Sequence, residues 1–228
     1  MELSWQQLQR HLGQARLEQY LVHCQGDQYR AVALYRWNAQ LAAAFWLDLG
    51  HLEVALRNAI DAAMVARLHH RIKRGDLGNE HDDWLDDPQG QLGRDARGPG
   101  RHRQPYVDIA SAKKRVQGNQ KPGTHDQVIS ETSFGLWHQL VSRSHMFLWP
   151  DLAGAFAYAP DRDQRTIASP IARLRTFRNR IAHHHRIWVH DVYSRHTDLI
   201  TIAQYLDPAL AEWITADSDV LKLLQEQP

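Results

Sequence analysis

Cysteine is almost absent from this sequence: Cys24 stands alone among 228 residues. A lone thiol closes no intrachain disulfide and offers no second sulfur to a zinc cluster, so it reads as a small core residue and redox chemistry is excluded. No run approaches the roughly 20 apolar residues that span a bilayer, and the opening MELSWQQLQRHL lacks the apolar core of a signal peptide. A cytoplasmic setting with no membrane partner is expected. Strand signals are scarce, no internal repeat or heptad register emerges, and no cluster of aspartates and glutamates accompanies the basic segments as a metal-dependent nuclease would need.

Apolar residues in helical spacing are present in quantity. They make up 43% of the chain, and a chain of this length buries about 70% of its extended surface, enough for one sizeable core. From Ser4 to about Val22, Trp5, Leu8, Leu12, Ala15 and Leu21 recur at three- and four-residue intervals with one longer gap, which predicts a helix capped by Ser4. Gly26 and Asp27 end it and cap the next. The longest periodic segment follows: Leu34, Trp37, Leu41, Phe45, Leu52, Leu56 and Ala63 hold one phase over about eight turns, and Gly50 is a candidate kink.

Between Arg71 and Pro122 the periodicity fades into Gly, Pro, Asp and basic residues, as in DDPQGQLGRDARGPGRHRQP. A long loop or small inserted lobe is expected there, inside a single domain spanning 1–228. Its surroundings are mildly basic: residues 67–121 carry twelve basic and eight acidic residues. Periodicity returns in DQVISETSFGLWHQLVSRSHMFLW, which predicts a helix from Asp126 stopped by Pro150, with Phe134 and Trp137 in the core. Ser169 and Pro170 resemble an N-cap and first-turn proline, though a preceding turn from Asp161 is compatible. From Asp191 onward, Val192, Leu199, Ile202, Leu206, Leu210, Trp213, Leu221 and Leu224 suggest two or three short closing helices, broken at Pro208.

The densest chemistry lies in LRTFRNRIAHHHRIW, Leu174–Trp188. Arg178, Asn179 and His183 read R-N-x-x-x-H, placing a permanent cation, an amide and an imidazole titrating near neutrality within six positions. A guanidinium fork holds two phosphate oxygens and neutralises charge developing in a transition state. An imidazole supplies general acid–base catalysis at cellular pH, and Asn179 can orient either partner. RNA cleavage by this route needs no metal, because the 2′-hydroxyl is itself the nucleophile. Residues 162–196 hold eight arginines, no lysine and two aspartates, a balance of +6 within a chain of net +1, whereas residues 197–228 hold one lysine against six acids. Arg173, Arg175, Arg180 and Arg186 are thus candidate RNA contacts.

Other readings remain open at this level. Arg and His near a helix end also suit its negative dipole. On an ideal helix Arg178 and His183 are rotated by about 140°, so either the helix loosens near His183 or a neighbouring chain completes the site. His185 would then lie under Arg178. The run His183, His184, His185 does not suit a metal, because adjacent ligands diverge and the i,i+4 spacing is missing. In the long helix, Glu53 and Arg57 are spaced for a surface pair, or for orienting Arg178 across a helix interface.

The combination of LYRWNAQLAAAFWLDLGHLEVALRNAI, ETSFGLWHQLV and LRTFRNRIAHHHRIW, in that order, resembles the Abi-like proteins of bacterial abortive infection systems, a branch of the HEPN superfamily. The resemblance implies an all-α HEPN-like bundle with a long central loop or small insertion, acting as a metal-independent endoribonuclease without cofactor. Its R-x-x-x-x-H motif falls on Arg178 to His183 and its polar position on Asn179; His184 is an alternative proton carrier, as is His185, and Glu53 and Arg57 are supporting residues. It implies RNA as partner, a homodimer with a composite site, products with 2′,3′-cyclic phosphate and 5′-hydroxyl ends, and a role in phage defence or toxin action under an antitoxin or trigger. HEPN domains that only bind RNA or protein supply the alternative.

Overall fold

A computed structural model describes residues 3–78 and 80–228. These form eleven α-helices joined by short 3-10 turns, and no strand occurs among the described residues. The chain begins with α1 (Trp5–Leu12) and α2 (Gln14–His23). The single helix expected here is broken at Gly13, whose φ of 91° is open to glycine and strained for other residues. Ser4 does cap α1, in a reciprocal pair of hydrogen bonds with Gln7.

The spine is α3 (Gln28–Lys73), 46 residues starting from the Asp27 cap and therefore about 69 Å long at 1.5 Å per residue. It passes through Gly50 without a break. Leu34, Trp37, Leu41, Phe45, Leu52 and Leu56 are buried in the expected phase, joined by Ile60, Met64 and Leu68, while Ala63 sits only at the edge of the stripe. This stripe contacts α2, α6, α7, α8, α9 and α11, while α4 packs on α5 and α6 and α10 packs on α9.

The segment 71–122 contains more structure than expected. After a turn-rich stretch comes α4 (Tyr106–Gly118), whose Tyr106, Ile109, Ala112 and Val116 enter the common core. The spacing is helical but was masked by the lysines and arginines between. The loop before it is also anchored: Trp84, Leu85 and Leu92 are buried, and the buried Asp87 carboxylate accepts the N–H groups of Leu92 and Arg94 at 3.0 and 2.9 Å. The continuous helix expected from Asp126 is divided into α5 (His125–Ser130) and α6 (Phe134–Leu140), followed by a 3-10 turn and α7 (Trp149–Leu152). Pro150 opens α7 rather than ending its predecessor, in the first-turn position where its missing N–H costs nothing.

Similarly, α8 (Gln164–Ala182) starts a turn and a half before Ser169, because Asp163 accepts the Arg165 N–H at 2.7 Å and caps it. Pro170 therefore lies within the helix, buried against the core. Phe177 meets Phe45 of α3 edge-on at 4.8 Å between ring centroids. The C-terminal region forms α9 (Val192–Leu206), α10 (Pro208–Asp217) and α11 (Val220–Gln225). Trp37 donates to the Leu223 carbonyl at 2.7 Å, tying the last helix to the spine. Three closing helices match the expectation; within them Trp213 is half exposed and rests on His51, and Leu221 is also exposed.

One polar clamp holds the 84–86 turn and α5 against α3. His125 places Nδ1 3.0 Å from Asp83 and Nε2 2.9 Å from Asp61, and Asp61 also accepts the Trp84 indole N–H at 2.7 Å. Both ring nitrogens face acceptors, so the imidazolium is the matching form. Burial alone pulls its pKa down, but the hydrogen bonds and charges of Asp61 and Asp83 outweigh this and raise it. The sign then follows from linkage: the stabilisation is fully present below the unfolded pKa of about 6.5 and is lost as pH rises through the folded value. Comparing the melting temperatures of wild type and His125→Gln across pH 5.5 to 9 should show a gap that narrows with rising pH. A gap that widens would contradict the assigned charge.

Candidate nucleic-acid interface

The C-terminal end of α8 is built by an unusual helix stop. His183 is the C-cap, and His184 adopts the left-handed conformation with φ 53°. His184 N–H then donates to Ile181 at 2.8 Å and His185 N–H to Arg180 at 2.9 Å, the paired bonds of a Schellman motif. Glycine normally occupies that left-handed position; here it is histidine, at a cost of roughly 1 kcal/mol. The helix thus ends at Ala182, and His185 does not lie beneath Arg178 as a continued helix would require. His183, His184 and His185 are all exposed, with the first and third rings 5.9 Å apart.

Two contacts fix the chain beyond this stop. Arg16 of α2 donates Nη1 to the His184 carbonyl at 2.5 Å, placing a cation at the negative end of α8. Buried Asn38 of α3 accepts the Ile187 N–H at 2.9 Å. Trp188 then packs on His23 at 4.3 Å, with Arg186 stacked 5.9 Å from its ring centroid.

The arginines of α8 point to different neighbours. Arg178 lies 4.7 Å from the Trp46 ring centroid and has Nε 3.7 Å from Glu53 Oε2. Glu53, read from the sequence as a residue spaced to pair with Arg57 or to orient Arg178, contacts Arg178, whereas Arg57 acts on Glu53 through its field alone. Burial raises the Glu53 pKa, against the lowering influence of Arg178, a hydrogen bond from the Phe134 backbone and Arg57. At 3.7 Å the contact is ionic and is not a hydrogen bond; Nε of Arg178, Arg57 and Arg180 is buried without a hydrogen-bond partner among the described residues.

Arg173, by contrast, forms a two-pronged pair with Asp198 at 2.9 and 2.6 Å, and Arg195 joins the same carboxylate at 2.9 Å. It braces α8 against α9, and its guanidinium, half exposed, is already matched by a carboxylate. Arg175 turns towards Gly135 of α6 and adds to the burial that lowers the His138 pKa. The four arginines expected as RNA contacts have different neighbours: Arg180 and Arg186 border a cleft with His184 and His185, Arg173 borders another with Arg180 and His190, and Arg175 borders neither.

Three clefts surround this end of α8. One of about 520 Å³ lies between α2, α3 and the helix end, bordered by Arg16, Tyr20, Tyr35, Trp46, His184 and His185. The second, about 340 Å³, shares Arg16, Tyr20, His184 and His185 with it and adds Arg180 and Arg186. Arg180 also borders the third, of about 410 Å³, with Arg195 and His190. Desolvation and then the charges of Arg180, His183 and Arg16 lower the His185 pKa; desolvation with Arg180, Arg195 and Arg186 lowers that of His190. These imidazoles favour the neutral form, which can accept a proton.

His183 and Asn179 are exposed and line none of these three clefts. Within one chain, His184 and His185 therefore share a cleft with Trp46, and His183 stands outside it. Sequence reasoning missed Arg16, Tyr35 and Trp46, which reach the site from other helices, although Trp46 falls in one of the quoted blocks. No group of three or more His, Cys, Asp or Glu side chains among the described residues is arranged to hold a metal ion.

The left-handed stop has a direct test. His184→Gly should be more stable than His184→Ala by about 1 kcal/mol in urea unfolding, because glycine alone adopts this conformation without strain. Equal stabilities would contradict the helix ending described. Comparison of the chain with models of known families, with curated proteins and with solved structures finds no significant match.

Proposed function

We propose that this chain is a metal-independent endoribonuclease of the HEPN type, in the Abi-like branch. The observation that carries the reading is the setting of Arg178: a guanidinium held between Glu53 and Trp46, next to clefts rimmed by Arg16, Arg180 and exposed imidazoles. All helices and no strands among the described residues are compatible with a HEPN bundle.

In this mechanism a neutral histidine accepts the proton of the 2′-hydroxyl, whose oxygen attacks the adjacent phosphorus. Arg178 neutralises the charge gathering on the non-bridging oxygens, and a second histidine protonates the departing 5′-oxygen. The products are a 2′,3′-cyclic phosphate and a 5′-hydroxyl. His183 is exposed and lies outside the Trp46 cleft, so in this reading the motif is completed by a second copy of the chain, with His183 of one protomer acting beside Arg178 of its partner and Asn179 orienting the pair. Abortive infection or toxin action in the cytoplasm is the corresponding biological role, with an antitoxin or trigger holding the activity in check.

The pairing of Arg178 with Glu53 also favours a second reading, in which the arginine only braces α8 on α3 and the protein binds RNA without cutting it. Cleavage of cellular RNA in EDTA separates the two. Wild type should leave cyclic phosphate ends, and folded Arg178→Ala and His183→Ala should each lose about 100-fold or more of that activity. RNA binding without cleavage would favour the second reading, and cleavage unchanged in both variants would contradict the assigned roles.

A further inference from the structure

The largest of the three clefts differs from the others in its chemistry. Its floor is the α3 surface at Ala39, Ala42 and Ala43, where short side chains let a flat ligand approach the helix closely. Tyr35 and Trp46 stand on the same helix as aromatic walls, and the buried Tyr20 of α2 packs edge-on behind Tyr35 at 5.3 Å between ring centroids. No carboxylate lines it, while Arg16 supplies positive charge and His184 and His185 supply ring nitrogens for hydrogen bonding at one side. Its volume of about 520 Å³ falls within the range of roughly 300–1,000 Å³ usual for small-ligand sites. An aromatic, acid-free slot with a cationic edge complements a planar ring attached to a phosphate.

Trp46 joins this slot to the proposed catalytic arginine. Its indole lines the cleft, carries the Arg178 guanidinium 4.7 Å from its centroid, and is 45% exposed, far more than a core tryptophan. The neighbouring cleft shares Arg16 and the two histidines, and continues past Arg180 and Arg186. A strand following that path meets an aromatic slot first and a row of cations after it.

We infer that the alanine-floored cleft between α2 and α3 is a binding site for one unpaired nucleobase of an RNA strand, seated against Tyr35 and Trp46, with its backbone phosphate towards Arg16. This rests on the endoribonuclease reading only for the identity of the strand as a substrate; the binding site itself does not require cleavage. A base paired in a duplex has its ring faces covered by neighbouring pairs and cannot enter. Selection for single-stranded RNA follows from the shape of the slot, and stacking makes it tolerant of sequence, because every base offers a π-face.

The test uses the full chain and a fluorescein-labelled oligoribonucleotide methylated at every 2′-oxygen, which binds but has no nucleophile for cleavage. Ala43→Leu and Ala39→Leu fill the floor from exposed helix positions where leucine is well tolerated. Wild type should bind the single strand about tenfold more tightly than the blunt duplex of the same sequence, and each leucine variant should lose about tenfold on the single strand while keeping its duplex affinity. Unchanged single-strand affinity in both variants overturns the site, as does equal affinity of wild type for strand and duplex. So does a change in sedimentation of Ala43→Leu, which would make the cleft a contact between copies of the chain. Cleavage of unmodified RNA, measured on the same proteins, keeps the two claims apart: strand binding sensitive to Ala43→Leu without any cleavage sinks the enzyme and leaves the site, whereas cleavage with leucine-insensitive binding does the reverse.

Discussion

The burial of one stripe along α3 places most of the helices of this molecule. From Leu34 to Leu68 the helix turns an inward-facing residue to the core at nearly every turn, and its other neighbours are set by what packs on that line. A lone helix of this length has no means of hiding such a stripe, so its stability is borrowed from the helices laid across it. The contact of Phe45 with Phe177 is the point where the spine fixes α8, and the next residue, Trp46, together with Glu53 about two turns on, fixes the orientation of Arg178. Core packing and candidate chemistry are consequently on adjacent faces of the same two helices.

The same economy governs the end of α8. A helix stop normally uses glycine where the backbone turns left-handed, and here three consecutive histidines occupy the stop instead. The strained geometry is held from outside by Arg16 on the His184 carbonyl and by Asn38 on the Ile187 N–H. Strain kept at a polar, exposed position by surrounding contacts is a frequent companion of function. In this chain it sends His184 and His185 towards the aromatic cleft and leaves His183 facing solvent, an arrangement that a second protomer would complete under the HEPN reading.

Long, regular elements were legible in the sequence because one apolar period persisted over many turns, as from Leu34 to Leu56. Short elements were not. Gly13 separates α1 from α2 without a cluster of polar residues to announce it, and Thr132–Ser133 divides α5 from α6 while the apolar spacing runs on. Tyr106, Ile109, Ala112 and Val116 keep helical spacing, but dense basic residues around them conceal it. Pro170 suggested a helix start because prolines favour first turns, yet the upstream Asp163 cap begins α8 earlier. At the site, the Glu53–Arg178 contact could be anticipated from two helices carrying complementary charges. Arg16 and Trp46 could not, since their roles come from contacts across the fold, and the stop at His183 has no glycine to mark it.

The central claim is that Arg178 meets RNA phosphate, and the side-chain 15N spectrum of the arginines reads this directly. With the Nε–H resonance assigned through Arg178→Lys, titration with the non-cleavable single strand should shift that resonance in step with binding. RNA that binds and moves other arginine signals while leaving Arg178 unmoved would contradict the account.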